Sequence, residues 1–168
     1  TEKYAHVTYF FNGGQEKPFV GEDRILVQST AVPHFDDKPE MKADEIKTRV
    51  LENASKYDFI LVNFANSDMV GHTGNLDATV TAVEALDKTL GELIRPVIDM
   101  GGVCVITADH GNAEQKLHPV SGEPSTEHTT NPVPFYLVSK EYQLTAEAPA
   151  EKIKKMINEN FGSGYPSD

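Results

Sequence analysis

The stretch "FILVNFANSDMVGHTGN", Phe59 to Asn75, opens with an apolar run and closes on a glycine and an asparagine. Phe59–Phe64 lacks polar alternation, the pattern of a strand buried on both faces of a parallel sheet. The next segment, Leu76–Ile98, places Leu76, Val80, Val83, Leu86, Leu90, Leu93, Ile94 and Val97 at steps of three and four. That spacing predicts one amphipathic helix. Gly101-Gly102 ends it. A second unalternated run, Val103–Thr107, opens "VCVITADHGNAEQ", Val103–Gln115. Strand, helix and strand in succession predict a βαβ unit with a right-handed crossover.

Outward from this unit, Val7–Phe11, Arg24–Gln28 and Pro134–Val138 are further β-rich runs. Ala43–Ser55 predicts a helix with Ile46, Val50, Leu51 and Ala54 inward. Ala150–Asn160 predicts another, with Ile153, Met156 and Ile157 inward. Leu117–Pro132 reads as a polar loop, and the tail after Phe161 as frayed. The expected fold is α/β, a mostly parallel sheet with helices on both faces.

The chain has 168 residues, 39% of them hydrophobic, which suits one domain with a real core. Its net charge of -11 argues against a nucleic-acid partner, because an acidic surface repels phosphate backbones. The lone cysteine, Cys104, sits inside an apolar run and reads as a core residue. No signal peptide or membrane-length apolar segment stands out, so a cytoplasmic protein without a membrane role is expected. A start at Thr1 suggests a cut from something longer.

In open α/β sheets, function gathers beyond the carboxyl ends of the strands. Asp109 and His110 fall at that end of one predicted strand, and Asp68 and His72 at that end of another. If Asp68–His72 is helical, its i, i+4 spacing puts both side chains on one face. His128, in "STEHTTNPVPF", arrives just before the last strand. A carboxylate and an imidazole are a common nitrogen and oxygen metal pair.

Each residue has a plainer reading. Asp109 could cap a turn. His72 could be an ordinary loop histidine, and His128 alone carries no signal. The convergence of all five on one sheet edge favours metal. His34 and His118 read as surface residues, and His6 as structural or supporting. With no cysteine ligand, a structural zinc cage is excluded. Five donors are too many for one open catalytic ion. Two ions, roughly 3.5–4 Å apart, suit them better and are suited to phosphoryl transfer.

"ANSDMVGHTGN", "ITADHGNAEQ" and "STEHTTNPVPF" resemble, in that order, the metal motifs of the cofactor-independent phosphoglycerate mutases of the alkaline phosphatase superfamily. "EKYAHVTYFFNGGQEKPFVGEDRILVQS", Glu2–Ser29, is similar to the same family. The resemblance implies an alkaline phosphatase-like domain, discontinuous around an inserted transferase domain. It implies two divalent ions, usually manganese, with zinc or magnesium in relatives. The implied reaction interconverts 3-phosphoglycerate and 2-phosphoglycerate through a phosphoserine enzyme, an isomerase step of glycolysis. By motif, Asp68, His72 and His128 would hold one ion, and Asp109 and His110 would help hold the other. Lys3 matches a family lysine near the transferring phosphoryl group, although a lysine at a chain end is usually a solvated surface residue.

The nucleophilic serine and a further metal aspartate of that family lie in an N-terminal segment that nothing here matches. An arginine clamp for the substrate anions is also expected, and Arg24, Arg49 and Arg95 are far apart. The chain thus reads as residues 1–168 of the C-terminal portion of a phosphatase domain, incomplete relative to the family domain. The match fades after about Lys140. An uncovered sheet edge would invite self-association. Two other classes stay open: a fragment of another superfamily phosphatase or phosphodiesterase, and a non-catalytic metal-binding module.

Overall fold

The computed structural model describes residues 1–140. The helix expected over 150–160 and the frayed tail after 161 lie outside the described residues. Among the described residues, three helices and two strands make up the regular structure: α1 (Ala43–Asn53), α2 (Asn66–Gly71), α3 (Leu76–Asp99), β1 (Cys104–Thr107) and β2 (Phe135–Val138). A 3-10 turn at Tyr4–Val7 and another at Phe35–Asp37 precede them.

The helix boundaries follow local chemistry. Asn75 caps α3, its side-chain oxygen accepting from the Ala78 N–H at 3.1 Å. Asp44 and Glu45 open α1, where carboxylates favour the positive helix end. Gly101 closes α3 at φ 86, a left-handed conformation that disfavours other residues. Asn66, 1% exposed, donates to the Pro39 and Glu40 carbonyls and ties α2 to the chain ahead of α1.

The core is small. Val70, Ala78 and Ala82 are buried together, with Phe35 and Met41 packed against them. The buried face of α3 is therefore the Ala/Thr face, with Thr79, Thr89 and Leu93 alongside. This corrects the expected stripe. Leu76, Val80 and Val83 are 52%, 49% and 44% exposed. They face an open cleft of about 1670 Å³ that Ile60, Leu61 and Val105 also line. Small side chains let α1 and α2 approach α3 closely, so the bulky face turns away from them.

The sheet also departs from expectation. β1 and β2 pair antiparallel, with Cys104 opposite Val138 and Thr107 opposite Phe135. This is the only ladder among the described residues. Phe59–Phe64 joins no ladder among the described residues, and Phe59, Ile60 and Leu61 are 59%, 37% and 40% exposed. Arg24–Gln28 is likewise extended without a ladder. Val7–Phe11 forms no strand at all. Local backbone bonds such as Phe10 N–H to Ala5 C=O and Asn12 N–H to Thr8 C=O coil it. An apolar run pairs only where a neighbouring strand offers a free edge, and these three have none among the described residues. The architecture remains α/β.

Candidate metal centre

Three segments build the site. α2 ends at Gly71, and the His72 N–H donates to the Asp68 carbonyl at 3.0 Å. That single helical turn puts both side chains on one face. β1 delivers Asp109 and His110 just past Thr107. The loop ahead of β2 delivers His128, fixed in place by a bridge between Gly111 and Thr129.

Asp68 is the hub. Its Oδ1 lies 3.2 Å from His72 Nε2 and 3.1 Å from His128 Nε2. The two imidazole nitrogens are 3.0 Å apart. His110 stacks on His128, centroids 3.6 Å apart, with Nδ1 at 4.0 Å from Asp68 Oδ1. Asp109 stands further out. Its Oδ2 is 3.4 Å from His110 Nε2 and 3.9 Å from His6 Nε2. Lys3 reaches the other side of the hub, its Nζ donating to Asp68 Oδ2 at 2.8 Å. All six sequence-derived candidates therefore meet in one region, with His6 beside them. His34 takes part in the cap of the 3-10 turn at Phe35–Asp37, and His118 accepts from Val120 and Ser121 N–H groups in its own loop.

The donor set suits a cation. Ligand bonds of roughly 2.0–2.2 Å hold neighbouring ligands about 3.0–3.5 Å apart. Asp68 Oδ1, His72 Nε2 and His128 Nε2 stand at 3.2, 3.1 and 3.0 Å from one another. Asp68, His110 and His128 also offer ligand atoms within 4.8 Å of one another. The His72 ring is oriented from behind, with Nδ1 at 2.6 Å from the Thr126 carbonyl. In the neutral ring that contact puts the proton on Nδ1 and turns the Nε2 lone pair toward Asp68 and His128, where a cation would take it.

Burial pushes the Asp68 carboxyl up. Hydrogen bonds from Lys3 and Asn112 and the Lys3 and His72 charges outweigh this and hold it at about 2. The carboxylate is thus ionised at any working pH, as a ligand must be.

A supporting layer escaped the sequence reading. Asn112, 4% exposed, donates from Nδ2 to Asp68 Oδ1 at 2.8 Å. Lys116, 5% exposed, donates to the Gly71 carbonyl at 3.0 Å and to Asn112 Oδ1. Glu114 accepts from the Asn112 backbone N–H, from Thr129 Oγ1 and from Asn131 Nδ2. The clue lay in "DHGNAEQK", where four polar side chains crowd behind two candidate ligands.

Comparison with known proteins matches this geometry to a family. A sequence model described as the metalloenzyme superfamily covers residues 1–163, past the point near Lys140 where the quoted motifs stop. The 2,3-bisphosphoglycerate-independent phosphoglycerate mutase of Clostridioides difficile is 52% identical over 145 residues, 85% of this chain and 28% of its own length. That of Shewanella amazonensis is 45% identical over 170 residues, all of this chain and 33% of its own length. A crystal structure of Leishmania mexicana phosphoglycerate mutase at low cobalt concentration superposes with a TM-score of 0.85 at 32% identity, over 99% of this chain and 34% of that one. The chain therefore spans about a third of the relatives it matches. With most of its length matched by the family's own sequence pattern, the chain belongs to the metalloenzyme superfamily.

Proposed function

We propose that this chain is the C-terminal, metal-binding part of a cofactor-independent phosphoglycerate mutase, an isomerase acting on phosphoglycerate in the cytoplasm. The observation that carries this reading is the triangle of Asp68 Oδ1, His72 Nε2 and His128 Nε2, each pair within 3.2 Å. Relatives named as such mutases supply the reaction. Asp68, His72 and His128 would hold one divalent ion, and Asp109 with His110 would contribute to a second. Manganese is the expected metal, with zinc and magnesium as alternatives. Bound there, such ions lower the pKa of an attacking hydroxyl and neutralise charge on a transferring phosphoryl group.

The chain's own residues do the positioning. The Thr126 carbonyl orients His72, and Asn112 and Lys3 hold the Asp68 carboxylate from its two sides. Lys3 also places an ammonium at the edge of the cluster, where it would meet the anionic substrate.

Titration calorimetry with manganese is expected to show binding that His72→Ala weakens strongly. Equal binding by the wild type and an Asp68/His72/His128 triple alanine variant overturns the metal reading. For the reaction, this chain can replace the matched region of the Clostridioides difficile relative. Mutase turnover by that chimera is expected, and a soluble, manganese-binding chimera without turnover overturns the assignment.

A further inference from the structure

Lys116 is a buried cation outside every ligand role assigned above. An ammonium loses its hydration on burial, and the chain keeps one here where a methionine would fill the same space. Its neighbours show what it serves. Two of its three donors are placed, one on the Gly71 carbonyl at 3.0 Å and one on Asn112 Oδ1.

The second bond settles the orientation of Asn112. A lysine only donates, so the side of the amide facing it must be the oxygen. The Nδ2 group then points the other way, to Asp68 Oδ1 at 2.8 Å and to the Asp68 carbonyl at 3.3 Å. Asp68 Oδ1 is the same atom that His72 and His128 approach. There is no slack around the amide. A Cβ on Gly71 would stand 2.5 Å from Asn112 Oδ1. The amide is pinned between the end of α2 and the hub carboxylate.

We propose that Lys116 is a positioning residue of the metal centre, acting through Asn112 to hold Asp68 Oδ1 in its ligating direction. The inference rests on the proposed metal reading. A purely structural role exists beside it, because the Gly71 carbonyl is a C-terminal acceptor of α2, which takes the Gly74 N–H at 3.3 Å and which Lys116 also caps. The two differ in what they affect. A cap stabilises the fold whether or not an ion is bound. A positioning chain changes metal affinity, and changes it only while Asn112 is present.

The experiment measures manganese affinity by calorimetry, and thermal stability without metal, for the wild type, Lys116→Met, Asn112→Ala and the double variant. Loss of a residue that orients a ligand typically weakens metal binding by about tenfold or more. Lys116→Met is expected to raise Kd by about tenfold, Asn112→Ala by a similar factor, and the double variant by no more than Asn112→Ala alone. A wild-type Kd in Lys116→Met overturns the inference. So does a loss in the double variant equal to the product of the single losses. If Lys116→Met does not fold, Asn112→Ala decides, since it keeps the Lys116 bond to Gly71, and an unchanged Kd overturns the proposal. Absence of binding by the wild type would instead sink the metal reading itself.

Discussion

Asp68 Oδ1 and His128 Nε2 lie 3.1 Å apart although 60 residues separate them in the chain. The contact joins α2 to the loop ahead of β2. Loop closure of that length carries an entropic cost. The Gly111–Thr129 bridge, with the Thr129 N–H donating to the Gly111 carbonyl at 2.9 Å, meets it close to the site.

Acid stability is expected to depend on Lys3. Asp68 titrates at about 2 when folded, below its ordinary value of 3.8. A lowered folded-state pKa contributes stability above the unfolded value, and that stability is lost as pH falls through the folded one. The loss from Asp68 therefore falls between about pH 4 and pH 2 and amounts to about 2 kcal/mol. Lys3→Met removes the ion pair and raises the Asp68 pKa. The difference in unfolding free energy between neutral pH and about pH 2 should shrink in the variant, as read by urea titration. An unchanged difference contradicts the role given to Lys3.

Gly71→Ala should damage the site without touching a ligand. Its added methyl would stand 2.5 Å from Asn112 Oδ1. Overpacking of this kind costs about 1–3 kcal/mol. Thermal melts should show that loss, and calorimetry a weakened manganese affinity. Full affinity in the variant would show that Asn112 relaxes freely.

Self-association with a second copy of the chain is expected. Ile60 and Leu61 are 37% and 40% exposed on an apolar edge that joins no ladder among the described residues. Such an edge is a template for pairing, and the matching run on another copy has the same shape and the same need. Sedimentation velocity should show concentration-dependent association, reduced by Leu61→Lys. A monomer at all concentrations contradicts it.

Catalysis by the isolated chain should fail at the covalent step. On the proposed function, a phosphoserine route would require a serine that accepts the phosphoryl group, and the motifs that carry the resemblance do not include the segment it implies for that serine. Loss of a covalent nucleophile costs many orders of magnitude. A coupled assay with excess manganese should detect no mutase turnover. Weak metal-dependent hydrolysis of activated phosphate esters is expected to remain. Full turnover would place a nucleophile within this chain, and Ser67, beside Asp68, would be the first residue to replace.

The sequence alone determined what depends on neighbours a few residues away. α3 was legible because its apolar period and its Gly101 stop are local signals. The pairing of Asp68 with His72 was legible because one helical turn sets it. The placement of Asp109 and His110 just past β1, and of His128 ahead of its partner β2, also followed; Asp68 and His72 reach the same place from a run that joins no ladder among the described residues. Tertiary structure decided the rest. Strand pairing needs a partner with a free edge, so Phe59–Phe64 reads as a strand yet joins no ladder among the described residues. The face α3 buries depends on how closely α1 and α2 approach, so Ala78 and Ala82 lie inside while Val80 and Val83 lie out. The link from Lys116 through Asn112 to Asp68 had no signature of its own. A buried lysine and a surface lysine are the same letter, and only packing against Gly71 turned this one into a fixed donor.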